Sequence, residues 1–152
     1  MVMATTNAVH NKDPYNLSRF ENAQNKVYAQ TLFELHSGQK QTHWMWFIFP
    51  QIDGLGRSQY STFYAIKSKQ EASAYLIHSI LGARLVECVE TILSVHGRSV
   101  SQIFGSPDDK KLNSSMTLFA HVSPDNSLYQ QVLRKYFDGR HDDRTLKLLD
   151  LI

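Results

Sequence analysis

The chain has 152 residues, 42% of them hydrophobic and 11% aromatic, which is enough apolar material for one globular core and the usual size of one domain. Lys and Arg number 16 against 14 Asp and Glu, a net charge of +2 too mild and too evenly spread to point to nucleic acid as a partner. Cys88 is the single cysteine, so an intrachain disulfide is excluded; with no apolar signal segment and no apolar run near ~20 residues, the expectation is a soluble cytoplasmic protein without a membrane span.

Residues 1–12 are small and polar without periodicity and read as a flexible tail ahead of one helical domain over 13–152. From Asn16, a capping residue type, Leu17, Phe20, Val27, Tyr28, Leu32 and Leu35 recur at three- and four-residue spacing up to Gly38, which predicts one long helix. The run Trp44 to Pro50 is too short for periodicity to separate a strand from a buried helical turn, and its helical surroundings favour the turn. Gly54-Leu55-Gly56-Arg57-Ser58 reads as a loop leading into a helix around Gln59 to Ile66. Ser68-x-x-Glu71 has the form of a capping box, and Leu81, Leu85, Cys88, Ile92 and Val95 form the stripe of a further helix.

Two later starts share a grammar. Ser106-Pro107-Asp108-Asp109 and Ser123-Pro124-Asp125-Asn126 each offer a Ser N-cap, Pro at the first helical position and acid in the first turn. The first carries Leu112, Met116 and Phe119 inward; the second carries Leu128, Tyr129, Val132, Leu133 and Tyr136 and stops at Gly139. A short helix from Arg144 to Leu151 ends the chain. No segment alternates long enough for a sheet, so the fold class is all-α, a single compact domain of about five to seven helices.

Polar residues on apolar faces mark where a site could form. On a helical wheel Gln24 falls within the first apolar stripe with Thr31 beside it, while Asp108 and Ser115 fall on the side of Leu112 and Phe119, with Lys111 on its flank. Lys110, Asn113, Ser114 and Thr117 face outward on the same wheel. An inward polar group left unbonded costs roughly 1 to 3 kcal/mol, so each must meet a protein partner or a ligand. Trp44, Trp46, Phe47 and Phe49 read mainly as core, with one Trp left to line a cavity and its indole N–H in need of an acceptor. Arg57 and Ser58 in the glycine loop suit an anion, and Gln51 follows the turn at Pro50. His43 could act as acid or base or cap a core hydrogen bond. The seven His lack metal-type spacing, so no metal is expected; Cys88 sits in a core stripe; and "GRHDDRT" reads as a capped helix junction.

Three segments, "DPYNLSRFENAQ", "HWMWFIFPQIDGLGRS" and "FGSPDDKKLNSSMTLF", resemble a family of uncharacterised, mainly bacterial proteins of this length, a domain of unknown function. The resemblance runs from about Asp13 to Leu149 and implies a mostly helical fold but no activity or cofactor. Some members carry an automatic label of calpastatin; calpastatin is a long, polar, disordered inhibitor, which does not fit a short, aromatic, apolar chain. One departure is Ser79 in "IHSILGARL", where family members often have Pro, which bears only on the start of that helix.

Two functions follow as expectations. The first is a pocket for a small anionic or nucleotide-like ligand, with Gln24, Trp44, Gln51, Arg57, Ser58 and Lys111 as contacts and Gln24, Trp44, Arg57 and Asp108 converging on one concavity. If it carries out a reaction, His43 or Asp108 would be the acid or base and Ser115 would bind or attack. Whether it is an enzyme stays open, as do the cofactor and the oligomeric state. The second is an interaction module for a protein partner or single-stranded nucleic acid, using exposed aromatics and Arg.

Overall fold

A computed structural model describes residues 13–151, so the tail expected at 1–12 lies outside the described residues. The first helix is opened by Asp13 rather than Asn16: Asp13 Oδ1 accepts from the Leu17 amide at 2.6 Å and Oδ2 from the Ser18 amide at 3.2 Å, while Asn16 takes a left-handed φ of 53°. The long helix expected to Gly38 is two, α1 (Ser18–Asn25) and α2 (Tyr28–His36), parted at Val27, whose φ of −133° leaves the helical region. The apolar stripe runs unbroken through this point, but α1 packs on one neighbour, α3 (Met45–Ile48), and α2 on another, α6 (Leu81–Leu93). Tertiary packing thus overrides local periodicity.

The aromatic run forms the single turn α3, and the glycine loop leads into α4 (Gln59–Phe63), shorter than expected. The chain leaves the helix there because Ile66 pairs with the segment after Pro50: its amide donates to Gln51 O at 2.8 Å, and its carbonyl accepts from the Asp53 amide at 2.9 Å. Ser68 caps α5 (Lys69–Ile77) through the Glu71 amide at 3.0 Å. The Glu71 carboxylate does not close a capping box with Ser68. It accepts from the Lys67 amide at 2.9 Å and pairs with Arg19 at 2.6 Å. Arg19 also donates to the carbonyls of Tyr15, Asn16, Phe63 and Ala65, pinning the end of α4 to α1.

Between α5 and α6, His78 Nδ1 accepts from the amides of Ile80 and Leu81, and a Cβ on Gly82 would stand 2.1 Å from Leu76 O, so only glycine permits this close turn. A capping box does occur, at Ser99 and Gln102, opening α7 (Val100–Phe104), which periodicity did not reveal. Helix α8 (Asp108–His121) starts with Pro107, not Ser106, at its cap position. Helix α9 (Leu128–Phe137) is capped by Ser127, four residues after Ser123, because left-handed Asn126 turns the chain in between. Asp142 caps α10 (Asp143–Asp150). Among the described residues there are therefore ten helices in one all-α domain, against five to seven expected. The excess comes from the divided first helix and from the short turns. Helix α8 lies at the centre, against α5, α7, α9 and α10. No helix of the described residues is long and apolar enough to cross a membrane.

The loop between α2 and α3 is organised by one buried carboxylate. Glu34 Oε1 accepts from the amides of Gln41 (2.8 Å) and Thr42 (3.0 Å) and from Trp44 Nε1 (3.0 Å); Oε2 accepts from Thr42 Oγ1 (2.6 Å) and Gln30 Nε2 (2.9 Å). Burial by itself would raise the pKa, but the donors from Thr42, Gln41 and Gln30 outweigh it and hold the carboxyl down at about 2. Its folded-state value lies below the ordinary 4.5, so its contribution is complete above that pH and is lost as pH falls towards about 2. Glu34→Gln, which turns an amide N–H₂ onto a cluster of donors, should cost about 3 kcal/mol at neutral pH. Urea titrations across pH should show the acid-dependent part of that difference vanish as wild type approaches the low end of the window.

Candidate functional site

The segment Trp44–Trp46 divides its two indoles between the interior and the surface. Trp44 stands at the cap position of α3, its φ of −141° outside the helical region, and its side chain goes inward, while Trp46 within the turn is left partly exposed. Trp44 is fully buried among Phe49 and Phe104, its N–H satisfied by Glu34. Trp46 is half-buried and forms one wall of a cleft of about 520 Å³. Ile52, Leu55, Ala65 and Tyr64 supply the apolar floor, the first half of α8 the opposite wall, and Phe137, Asp142 and Arg144 the end. The indole stacks on Tyr60 (centroids 5.4 Å, interplanar 25°), and Lys111 Nζ stands 4.5 Å above its ring.

Several polar groups of this wall are already engaged. Asp142 accepts from the Thr145 amide (3.0 Å), Thr145 Oγ1 and Ser114 Oγ (3.1 Å), and its own amide donates to Thr117 Oγ1 at 2.9 Å. Asn113 bonds to Thr117 Oγ1 and to the carbonyl of Arg140. Ser114 and Thr117 are thus buried, contrary to the outward face read from the sequence, because the start of α10 covers that side of α8. What stays open to a ligand is mainly cationic or hydrogen-bond-donating, beside Asp142 Oδ1 and the Tyr64 hydroxyl, which have no hydrogen-bond partner among the described residues. Lys110, the Gln51 amide and the Trp46 indole N–H have no side-chain partner among the described residues; Arg144 makes one long contact, 3.4 Å to Gly54 O; Lys111 is shared with Asp108 at 3.4 Å.

The convergence expected of Gln24, Trp44, Arg57 and Asp108 does not occur. Gln24 is buried elsewhere, donating to Phe47 O (2.7 Å) and the Tyr75 hydroxyl (3.0 Å) and accepting from Arg84 (3.4 Å). Trp44 is core. Arg57 is exposed and lines not the cleft but a shallow depression beside it, shared with Tyr60, Phe63 and Tyr64, and the Ser58 hydroxyl caps α4 through the Ser61 amide at 3.1 Å. Asp108 stands at the edge of the cleft, paired with Lys40 at 2.9 Å as well as with Lys111. Ser115 is fully buried and its hydroxyl has no hydrogen-bond partner among the described residues, while His43 is exposed and outside the cleft lining. Of the ligand contacts read from the sequence, Gln51 and Lys111 line the cleft. Trp46, Lys110 and Arg144 were not singled out as contacts, although "GRHDDRT" flagged the junction that supplies Asp142 and Arg144. Burial pushes the Cys88 thiol up to about 12, which suits an inert core position. Among the described residues no group of three or more His, Cys, Asp or Glu is arranged to hold a metal ion.

With the geometry in place, three comparisons bear on the chain. No curated protein matches it. The crystal structure of the conserved hypothetical protein Rv1873 from Mycobacterium tuberculosis is similar, at 49% identity and a TM-score of 0.90, over 92% of this chain and 100% of that one. The family model described as "Protein of unknown function (DUF1810)" matches residues 14–149. The family resemblance and the helical fold read from the sequence thus agree with both matches, and the chain belongs to the DUF1810 family.

Proposed function

We propose that the Trp46 cleft binds a small anionic ligand that carries a flat ring, nucleotide-like or aryl phosphate in character, within the cytoplasm. One observation carries this reading: the cations Lys110 and Arg144 line the cleft without a carboxylate partner among the described residues, together with Gln51 and the Trp46 N–H, and they outnumber the single acidic side chain of the lining, Asp142. Cations that are not consumed by internal pairs favour an anion, and an indole edge with an apolar floor favours a planar body. The amides at the start of α8 contribute little, since those of Asp109, Lys110 and Lys111 donate to Gly105 O and Pro107 O. Side chains must therefore hold the charge. Binding is the reading we favour over proton transfer because Asp142, the carboxylate in the cleft lining, is held in place as the cap of α10, its Oδ2 accepting from Ser114 and Thr145 while its Oδ1 has no hydrogen-bond partner among the described residues.

A second reading rests on α4. Tyr60 and Phe63 are 62% and 55% exposed beside Arg57, a face suited to single-stranded nucleic acid or a protein partner. The two readings separate by experiment. Phenyl phosphate, titrated calorimetrically, should bind wild type and at ~100-fold excess over its Kd stabilise it by about 2.7 kcal/mol. Lys111→Ala and Arg144→Ala should each weaken binding about tenfold with little change in Tm, and Trp46→Ala should lose an edge contact of about 0.5 to 1.5 kcal/mol. No binding to wild type, or equal binding by all three variants, would remove the cleft reading; binding of an oligothymidylate that Phe63→Ala abolishes would support the second.

A further inference from the structure

Lys40 does not line the cleft, yet it shares a carboxylate with a cation that does. Asp108 Oδ2 lies 2.9 Å from Lys40 Nζ, and its Oδ1 lies 3.4 Å from Lys111 Nζ. The two ammonium groups are held very differently. The Lys40 side chain is 7% exposed, its Nζ also donates to Thr42 O at 2.6 Å and lies 4.9 Å from the Trp44 ring, and its backbone amide donates to Ile103 O. The Lys111 side chain is 26% exposed and has, among the described residues and beyond Asp108, only the face of Trp46. One carboxylate is therefore divided between a fixed, desolvated partner and a looser one at the edge of the cleft.

That asymmetry decides what an arriving anion must overcome. To engage Lys111 it must compete with Asp108, whose side chain is 20% exposed and would be costly to leave uncompensated. With Lys40 in place, Asp108 keeps a close partner when Lys111 turns to the ligand. Without Lys40, Asp108 would have Lys111 alone and would hold it back. Resting on the cleft reading above, we propose that Lys40 is a positioning residue: by neutralising Asp108 it releases Lys111 to bind the anionic group of the ligand.

A double-mutant cycle tests this with phenyl phosphate as the probe at ~0.15 M salt, where exposed charges are screened beyond about 8 Å. Lys40→Met, which keeps the aliphatic stem over Trp44, should weaken binding about fivefold to tenfold. Asp108→Asn should bind at least as tightly as wild type. The double variant should follow Asp108→Asn, since Lys40 has nothing left to neutralise once the carboxylate is gone. Thermal melts identify the folded proteins, and Lys40→Gln, which can still donate to Thr42 O without charge, should reproduce the weakening if Lys40→Met folds poorly. Wild-type affinity in both Lys40 variants overturns the proposal. So does a double variant that falls below Asp108→Asn by the same factor as Lys40→Met falls below wild type, since Lys40 would then act independently of Asp108. In either case, binding that still depends on Lys111 leaves the cleft reading standing, whereas failure of phenyl phosphate to bind wild type removes both.

Discussion

Five donors converge on the buried carboxylate of Glu34, and the cleft wall follows from that convergence. A desolvated carboxylate is tolerable only when its oxygens are saturated, and here the donors come mostly from the chain immediately ahead of α3. By binding the amides of Gln41 and Thr42 and the indole of Trp44, Glu34 fixes both where this segment lies and which way its first aromatic side chain points. With Trp44 committed to the interior at the cap of α3, Trp46 in the turn that follows faces Lys111 of α8. The same loop carries Lys40, whose reach to Asp108 follows from the path of the backbone between Gly38 and Thr42.

Helix α8 joins this wall to the other side. Its inward face, with Leu112, Met116 and Phe119, belongs to the core, while the face carrying Ser114 and Thr117 is sealed by Asp142 and the start of α10. Sealing that face with neutral hydroxyls and one capped carboxylate leaves the helix's lysines as the groups available at the surface. The cleft is therefore cationic although the whole chain is nearly balanced in charge. Net charge averages over the surface; burial and internal pairing decide which charges a ligand meets.

How much of this the sequence discloses depends on the range of the interactions involved. The all-α class and most of the helices are legible because they rest on local periodicity and capping chemistry. Gln24 is legible as an inward residue for the same reason. The division at Val27 is not, because it depends on two different packing partners, α3 and α6. Asp13 as the cap of α1 escapes a reading that looks for the cap beside the apolar stripe. Ser114 and Thr117 mislead a single-helix wheel because a second helix covers the face it assigns to solvent. The choice between the two indoles hangs on Glu34, ten residues before Trp44, whose charge alone marks it as a surface residue. Gln51 and Lys111, which the sequence singles out, line the cleft; Arg144, 33 residues beyond Lys111, reaches the same cleft only through the packing of α10 on α8.

The division of labour between the indoles is open to one spectrum, because the chain has two tryptophans and hence two indole N–H signals in a nitrogen–proton NMR map. On exchange into deuterated water the Trp44 signal, bonded to buried Glu34, should persist long after that of Trp46 has gone. On addition of phenyl phosphate the Trp46 signal should shift in a saturable manner while that of Trp44 stays in place. Equal exchange of the two signals, or a ligand-induced shift confined to Trp44, would contradict the account.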